Sequence, residues 1–425
     1  MNTESHSAAP TAVRVPSKGR KTLTQRLVLS RMEGISSGSF TLQEGSQVYE
    51  FGRSDPALPH AVIHVRDVRF WNAVAYRGSI GAGESYAKGW WTSDDPTAVV
   101  RLFVRNQAAL AGLEAGLARI SRPFLGLYHA LRRNNERGSR ENISAHYDVS
   151  NEFFALFLDD TMTYSCGIFE DETATLREAS IAKIDRLCRK LDLKPTDHLL
   201  EIGTGWGGFA LHAATEYGCR VTTTTISKEQ HAFAERRFRE AGVDDRITLL
   251  LQDYRKLEGS FDKLVSVEMI EAVGASYYKE FFRRCSGLLK PEGTMALQAI
   301  TIADQHYESA RHSVDFIQRH IFPGSCIPSV TALCSAMTKA GDLRLVDLED
   351  IGPHYVRTLA TWKANLAEKS SQAMGMGYSK EFLRMWEFYF AYCEGGFSER
   401  HIGDVHMLLQ RPGARPPLAV RPLLS

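Results

Sequence analysis

The stretch DHLLEIGTGWGGFALHAATEYGCRVTTTTISKEQ, residues 197–230, combines backbone and side chains suited to holding a small charged molecule. An apolar, strand-like run carries Glu201 and then breaks into Gly203, Gly205, Gly207 and Gly208. In a doubly wound sheet, the first strand-to-helix turn lies where ligands bind, and glycines there let backbone approach the ligand closely. The spacing resembles a dinucleotide fingerprint, a signal reused for several nucleotide-like ligands. A dinucleotide site usually places an acid about 20 residues after the first glycine to hold the ribose. Here that region, Val221 to Ser227, reads VTTTTIS. No Gly-Lys-Ser/Thr follows the glycines, so a P-loop is excluded. The ligand that remains natural is S-adenosylmethionine, which needs close backbone approach but carries no phosphate. Glu201 could then meet its ammonium group, directly or through water; the alternative is a structural carboxylate capping local N–H groups.

Positioning these residues takes a sheet. From about residue 175 helical and strand-like segments alternate: LREASIAKIDRLCRKL, HLLEIG, a helix from Gly208, CRVTTTTI, SKEQHAFAERRFREAG, ITLLLQ, FDKLVSVEM, YYKEFFRRCSGLL and GTMALQAIT. This alternation predicts an α/β fold with a doubly wound, mostly parallel sheet. Ahead of it, GSFTLQEGSQVYEFG and AVIHVRDVRFWNAVAY alternate apolar and polar residues between turn signals, predicting short strands in a smaller N-terminal α+β domain. DDPTAVVRLFVRNQAAL and LARISRPFLGLYHALRR read as helices, the first with Asp and Pro at its start. Residues 1–20 read as a disordered tail, 21–131 as the N-terminal domain, 132–142 (RRNNERGSREN) as a linker and 143–425 as the catalytic domain. The segment TLTQRLVLSRMEGI predicts a surface helix with basic flanks.

Composition narrows the classes. Across 425 residues, 51 Lys and Arg balance 50 Asp and Glu, so the field expected of a nucleic-acid binder is missing. Seven widely spaced cysteines without a CxxC pair fit neither a disulfide framework nor a zinc site, and point to a reducing, cytoplasmic setting. No apolar run approaches the roughly 20 residues of a membrane-spanning helix. Membrane contact is therefore expected to be peripheral.

Further motifs resemble the cyclopropane-fatty-acyl-phospholipid synthases and their mycolic acid methyltransferase relatives. They are GESYAKGWW (83–91), HYDVSNEFFALFLDDTMTYSCGIFED (146–171), LEIGTGWGG (200–208), TISKEQ (225–230), LQDYR (251–255), SVEMIEAVG (266–274), IFPGSCIPS (321–329) and HYVRTLATW (354–362). The resemblance implies a Rossmann-like methyltransferase, its sheet seven-stranded, that uses S-adenosylmethionine on the cis double bond of acyl chains in membrane phospholipids, forming a cyclopropane ring. It implies cofactor contacts at Tyr164, Ser165, Gly203, Gly205, Thr225, Gln230 and Asp253, to which the neighbouring Glu201, Ser227 and Tyr254 are added as candidates. It also implies a bound bicarbonate as base, cradled by Cys166, Glu271, Ile300 through its backbone, and Tyr355. A homodimer at the inner face of the membrane is what the family suggests. Alone, Cys166 would read as a small buried hydrophobe and Tyr355 as a packed ring, whereas Glu271 follows an apolar strand at its carboxyl end, where this fold puts its sites.

Two departures from the family pattern bear on the product. An acid–histidine pair appears here as Glu271-Ala272, and a His-Thr-Ile strand appears as Gln298-Ala299-Ile300. Gln298 can bond to an anion but cannot titrate. Glu268 is an added carboxylate where the family more often has a small residue, able to compensate or to redirect the cation. The alternative product is a methyl-branched or methylated unsaturated chain without a ring. A noncatalytic lipid-binding relic is the reading from another class. A small-molecule or RNA methyltransferase is disfavoured because no basic, base-stacking stripe is present.

Overall fold

The computed structural model describes residues 21–108 and 149–415. The expected tail, the linker and the second N-terminal helix lie outside the described residues.

The N-terminal layer runs α1 (Leu23–Met32), β1 (Ser39–Glu44), β2 (Gln47–Gly52), β3 (His60–Val65), α2 (Arg69–Ala87), β4 (Trp91–Thr92) and α3 (Pro96–Arg105). Its four strands order β2-β1-β3-β4. The alternating run through AVIHVRDVRFWNAVAY, expected as strand, splits in two: β3 ends at Val65 and α2 begins at Arg69. Asp67 explains the break, since its Oδ1 accepts the Arg69 N–H at 2.9 Å. Beyond it, Phe70, Trp71, Val74 and Ala75 are buried at helical spacing. In α3 the expected start is found, with Pro96 in the first turn and the Asp95 side chain accepting the Ala98 N–H at 2.9 Å.

The larger layer contains α4 (Asn151–Phe157), α5 (Leu176–Leu191), β5 (His198–Ile202), α6 (Gly208–Glu216), β6 (Arg220–Thr225), α7 (Lys228–Glu240), β7 (Ile247–Leu251), β8 (Phe261–Val267), α8 (Tyr278–Leu288) and β9 (Leu289–Ile302). It continues with α9 (Asp304–Ala310), α10 (Phe316–His320), α11 (Val330–Ala340), β10 (Arg344–Asp350), α12 (Gly352–Glu368), α13 (Ser370–Gly375), α14 (Lys380–Ser398) and β11 (Ile402–Gln410). The seven strands order β10-β11-β9-β8-β5-β6-β7, parallel except that β11 runs antiparallel to both its neighbours. The order reverses between β5 and its neighbours β6 and β8, so the glycine bend after β5 sits at the topological switch point.

The two layers share one apolar core. Phe40, Trp71 and Trp91 from the first belong to the same buried cluster as Phe153, Trp362, Trp386 and Phe390 from the second. Close approach is built in at Gly83 of α2, where a Cβ would stand 2.3 Å from a ring carbon of Phe316 and 2.9 Å from one of Phe388. Polar ties flank this packing: Arg101 donates from Nε to Glu399 at 2.6 Å, and the Arg384 guanidinium reaches the Tyr86 carbonyl at 2.8 Å.

Candidate active site

The bend after β5 holds its shape through backbone bonds. The N–H groups of Gly203 and Thr204 both donate to the Thr224 carbonyl on β6, at 3.1 and 3.0 Å. Gly203 has φ of 103°, a conformation in which any side chain would be strained. Beneath it Glu201 is buried and accepts the Thr223 hydroxyl at 2.5 Å, while Thr223 also meets the Thr204 hydroxyl at 2.7 Å. Burial pushes the Glu201 carboxyl up to about 8, against the opposing pull of the Thr223 hydroxyl and Lys183.

Around this bend the structure gathers the residues expected to contact a cofactor. Thr225, at the end of β6, donates to Gln230 Oε1 at 2.8 Å. Asp253 lies at the same rim, but its carboxylate is clamped from two sides by the Arg255 guanidinium, at 2.9 and 2.6 Å. Ser227 takes a structural part instead: its hydroxyl caps α7 by accepting the Gln230 N–H at 3.2 Å. Ser165 meets a residue that sequence reasoning missed, the buried Lys183 of α5, whose Nζ donates to its hydroxyl at 2.8 Å. Tyr164 is held by a hydroxyl contact of 3.0 Å with Tyr389.

The second half of the site is a carboxylate cluster at the ends of β8 and β9. Glu268 follows β8 with φ of 46°, a conformation non-glycine residues seldom adopt. One of its oxygens accepts the Cys166 backbone N–H at 2.8 Å and the Gln298 side-chain amide at 2.7 Å. The other accepts the Tyr355 hydroxyl at 2.7 Å. The Gln298 amide also donates to Asp404 Oδ2 at 2.9 Å, and its carbonyl oxygen accepts from His406 at 3.2 Å. His406 is held well below the usual imidazole range, to about 3, by burial, so it is neutral and fits the donor's part. Glu271 accepts the Ile300 N–H at 2.5 Å, and its second oxygen is buried without a partner. Burial and the neighbouring Glu268 push the Glu271 carboxyl up to about 8.

The residues expected to cradle bicarbonate are therefore brought together, but their donors are engaged by the protein's own carboxylates. Cys166 contributes through its backbone; its thiol is buried and pushed up by burial and the nearby acids, so it stays protonated. Asp404 and His406 went unread in the sequence because they sit in β11, whose run VHMLLQ looks like an ordinary apolar strand.

One cavity of about 610 Å³ joins both halves. Its polar end is formed by Ser165, Glu201 and the Gly203–Gly205 bend, its waist by Glu268, Glu271 and Tyr355. It runs on into Phe70, Val74, Trp91 and Phe103 of the N-terminal layer. Cys166 and Gln298 stand behind this wall rather than on it.

A family profile described as mycolic acid cyclopropane synthetase matches residues 134–407. The tuberculostearic acid methyltransferase UfaA1 of Mycobacterium tuberculosis is 37% identical over 370 residues, spanning 85% of this chain and 86% of its own. The cyclopropane-fatty-acyl-phospholipid synthase of Escherichia coli is 36% identical over 345 residues, spanning 80% of this chain and 86% of its own. Among solved structures, the mycolic acid cyclopropane synthase CmaA1 complexed with SAH and CTAB superposes with a TM-score of 0.60 at 32% identity, over 64% of this chain and 98% of that one.

Proposed function

Because the chain belongs to the mycolic acid cyclopropane synthetase family of S-adenosylmethionine-dependent methyltransferases, we propose that it methylates the cis double bond of unsaturated acyl chains in phospholipids and closes a cyclopropane ring. The observation that carries this reading is the continuous cavity, polar at the glycine bend and lined by aromatic and aliphatic side chains beyond it. An alkene is a feeble nucleophile, so the reaction needs it held in a dry, apolar channel.

S-adenosylmethionine fits the polar end: the bend presents backbone without Cβ, and the buried Glu201 carboxyl offers a partner for its ammonium. Gly203, Gly205, Ser165 and Glu201 would hold its amino-acid portion, and Thr225, Gln230, Asp253 and Tyr254 the nucleoside. When bound it supplies an electrophilic methyl group. Tyr164 and Tyr389 wall the channel and keep water out, while Glu268 and Glu271 face the point where a proton must be lost.

Proton NMR of lipids extracted from cells expressing the protein tests the product. High-field cyclopropyl protons are expected; their absence, with new vinylic or methyl-branch signals, overturns ring closure. One observation makes that second outcome the alternative: a carboxylate of the chain itself, held at the waist by Gln298, Tyr355 and the Cys166 N–H, faces the cation, and the carbon lying against it decides between ring and alkene.

Among the described residues no helix is long and apolar enough to cross a membrane. Phospholipid access through the N-terminal layer is supported by its exposed edge, where Leu23 and Val48 project apolar side chains beside Lys21, Arg26 and Arg31. Reversing these three charges to Glu is expected to weaken sedimentation with anionic liposomes by about 1 kcal/mol per residue at low salt. Undiminished, salt-insensitive binding would place the contact elsewhere. Light scattering of the purified protein tests the expected homodimer.

A further inference from the structure

We propose that Glu268 is the resident base of this enzyme, occupying the cradle expected for bicarbonate and making proton removal independent of an added anion. The inference rests on the reading of the site as a lipid methyltransferase.

Its basis is the hydrogen-bond inventory of the cradle. Of the residues implied to hold bicarbonate, the Cys166 N–H and the Tyr355 hydroxyl donate to Glu268, joined there by the Gln298 amide, and the Ile300 N–H donates to Glu271. What these residues still offer a visiting anion is one donor at most, the unpartnered Glu271 Oε2 of a carboxyl that burial keeps protonated below about 8, and beside it stands the Glu268 charge. Anions are held by donors and repelled by like charge, so bicarbonate does not fit here. A carboxylate of the chain itself stands in its place, fed by the same donors and exposed to the cavity wall.

The arrangement also fixes the charge. Glu268 accepts from three donors, which suits the ionised form. Asp404, wholly buried behind it, shares the Gln298 amide with Glu268 as a second carboxyl, at 2.9 and 2.7 Å, and two buried carboxyls held by one donor do not both ionise. Asp404 has that single donor and an unpartnered Oδ1 against three donors on Glu268, and burial and the Glu268 charge push it well up, so the retained proton belongs on Asp404. Burial raises Glu268 as well, while the Tyr355 hydroxyl and the Cys166 N–H oppose that, so of the pair Glu268 is the one that ionises first. In the step itself a C–H bond of the methylated cation breaks, its electron pair forms the new carbon–carbon bond of the ring or the alkene, and the proton passes to a Glu268 oxygen. The acid so formed returns the proton to solvent after product leaves.

Methyl transfer from labelled S-adenosylmethionine to unsaturated phospholipid vesicles should be equal in carbon-dioxide-free buffer and in saturating bicarbonate. A wild-type enzyme that stops without bicarbonate and recovers with it overturns the proposal. Glu268→Ala is expected to lose about 100- to 10,000-fold in rate, the span of a general base, and to be partly rescued by bicarbonate filling the vacated cradle. Glu268→Gln keeps the cradle filled and should be as slow but not rescued. Full activity of either variant without bicarbonate also overturns it. Line broadening of carbon-13 bicarbonate gives an independent reading: binding is expected with Glu268→Ala and not with the wild type, and binding to the wild type overturns the proposal. If the wild type methylates no phospholipid, the substrate reading fails while this binding contrast still judges the cradle.

Discussion

Glu201→Gln weakens S-adenosylmethionine binding by about 2 kcal/mol or more, the cost of removing one partner from a buried charge pair. That corresponds to a loss of at least roughly 30-fold in affinity. The free carboxyl sits at about 8 because it is buried, so near neutral pH it is mostly protonated. An arriving ammonium favours its ionised form and expels the proton. Calorimetry in two buffers of different ionisation enthalpy should therefore show proton release on binding to the wild type and less with the Gln variant. The same raised value has a consequence for the unliganded fold. Between the ordinary 4.5 and about 8 the folded chain keeps a proton that the unfolded chain has lost, so stability declines as pH rises through that window. Glu271, also at about 8, adds a decline of the same sign. Equal affinity and equal proton release in the two proteins would remove Glu201 from the cofactor site.

Lys183→Met destabilises the protein by about 3–5 kcal/mol, because taking away the buried cation leaves the buried Glu268 carboxylate uncompensated. Burial lowers the Lys183 ammonium, and the neighbouring Glu268, Cys166, Asp404 and Glu201, in that order, pull it back up. Its hydrogen bond to Ser165 is the lesser part: Ser165→Ala should cost only about 1 kcal/mol, the net worth of a single hydrogen bond. Urea unfolding of both variants separates the contributions. Matching losses would mean that Lys183 acts as a hydrogen-bond donor and its charge contributes little.

The cofactor end was legible because its chemistry is local. Glu201, the glycines and the threonine strand lie within one βαβ unit, and a turn that demands positive φ writes itself as glycine. Glu271 was legible for a similar reason, at the carboxyl end of β8. The acid cluster was not, because its partners converge from distant strands and helices: Glu268 is tied to Cys166, 102 residues away, and Gln298 to Asp404, 106 residues away. Only pairing of β9 with β11, which sets Ile300 opposite Asp404, brings the latter in. Lys183 did leave a trace. It shares the buried stripe of α5 with Ala179, Ser180 and Leu187, and a lysine on an apolar stripe asks for a partner. The misread boundary at Asp67 shows the converse, since a short side-chain cap can end an alternating pattern that reads as one strand.

The cavity belongs to two layers at once, and that makes substrate occupancy and layer docking a single equilibrium. Phe70, Trp91 and Phe103 reach the channel only while α2 and α3 lie against α14, a contact as close as Gly83 permits. Whatever an acyl chain gains from those rings, it returns as an equal preference for the closed arrangement, since coupling between two binding events is reciprocal. The N-terminal layer is then less an anchor appended to an enzyme than the removable half of a mould, and the lipid is what casts it shut.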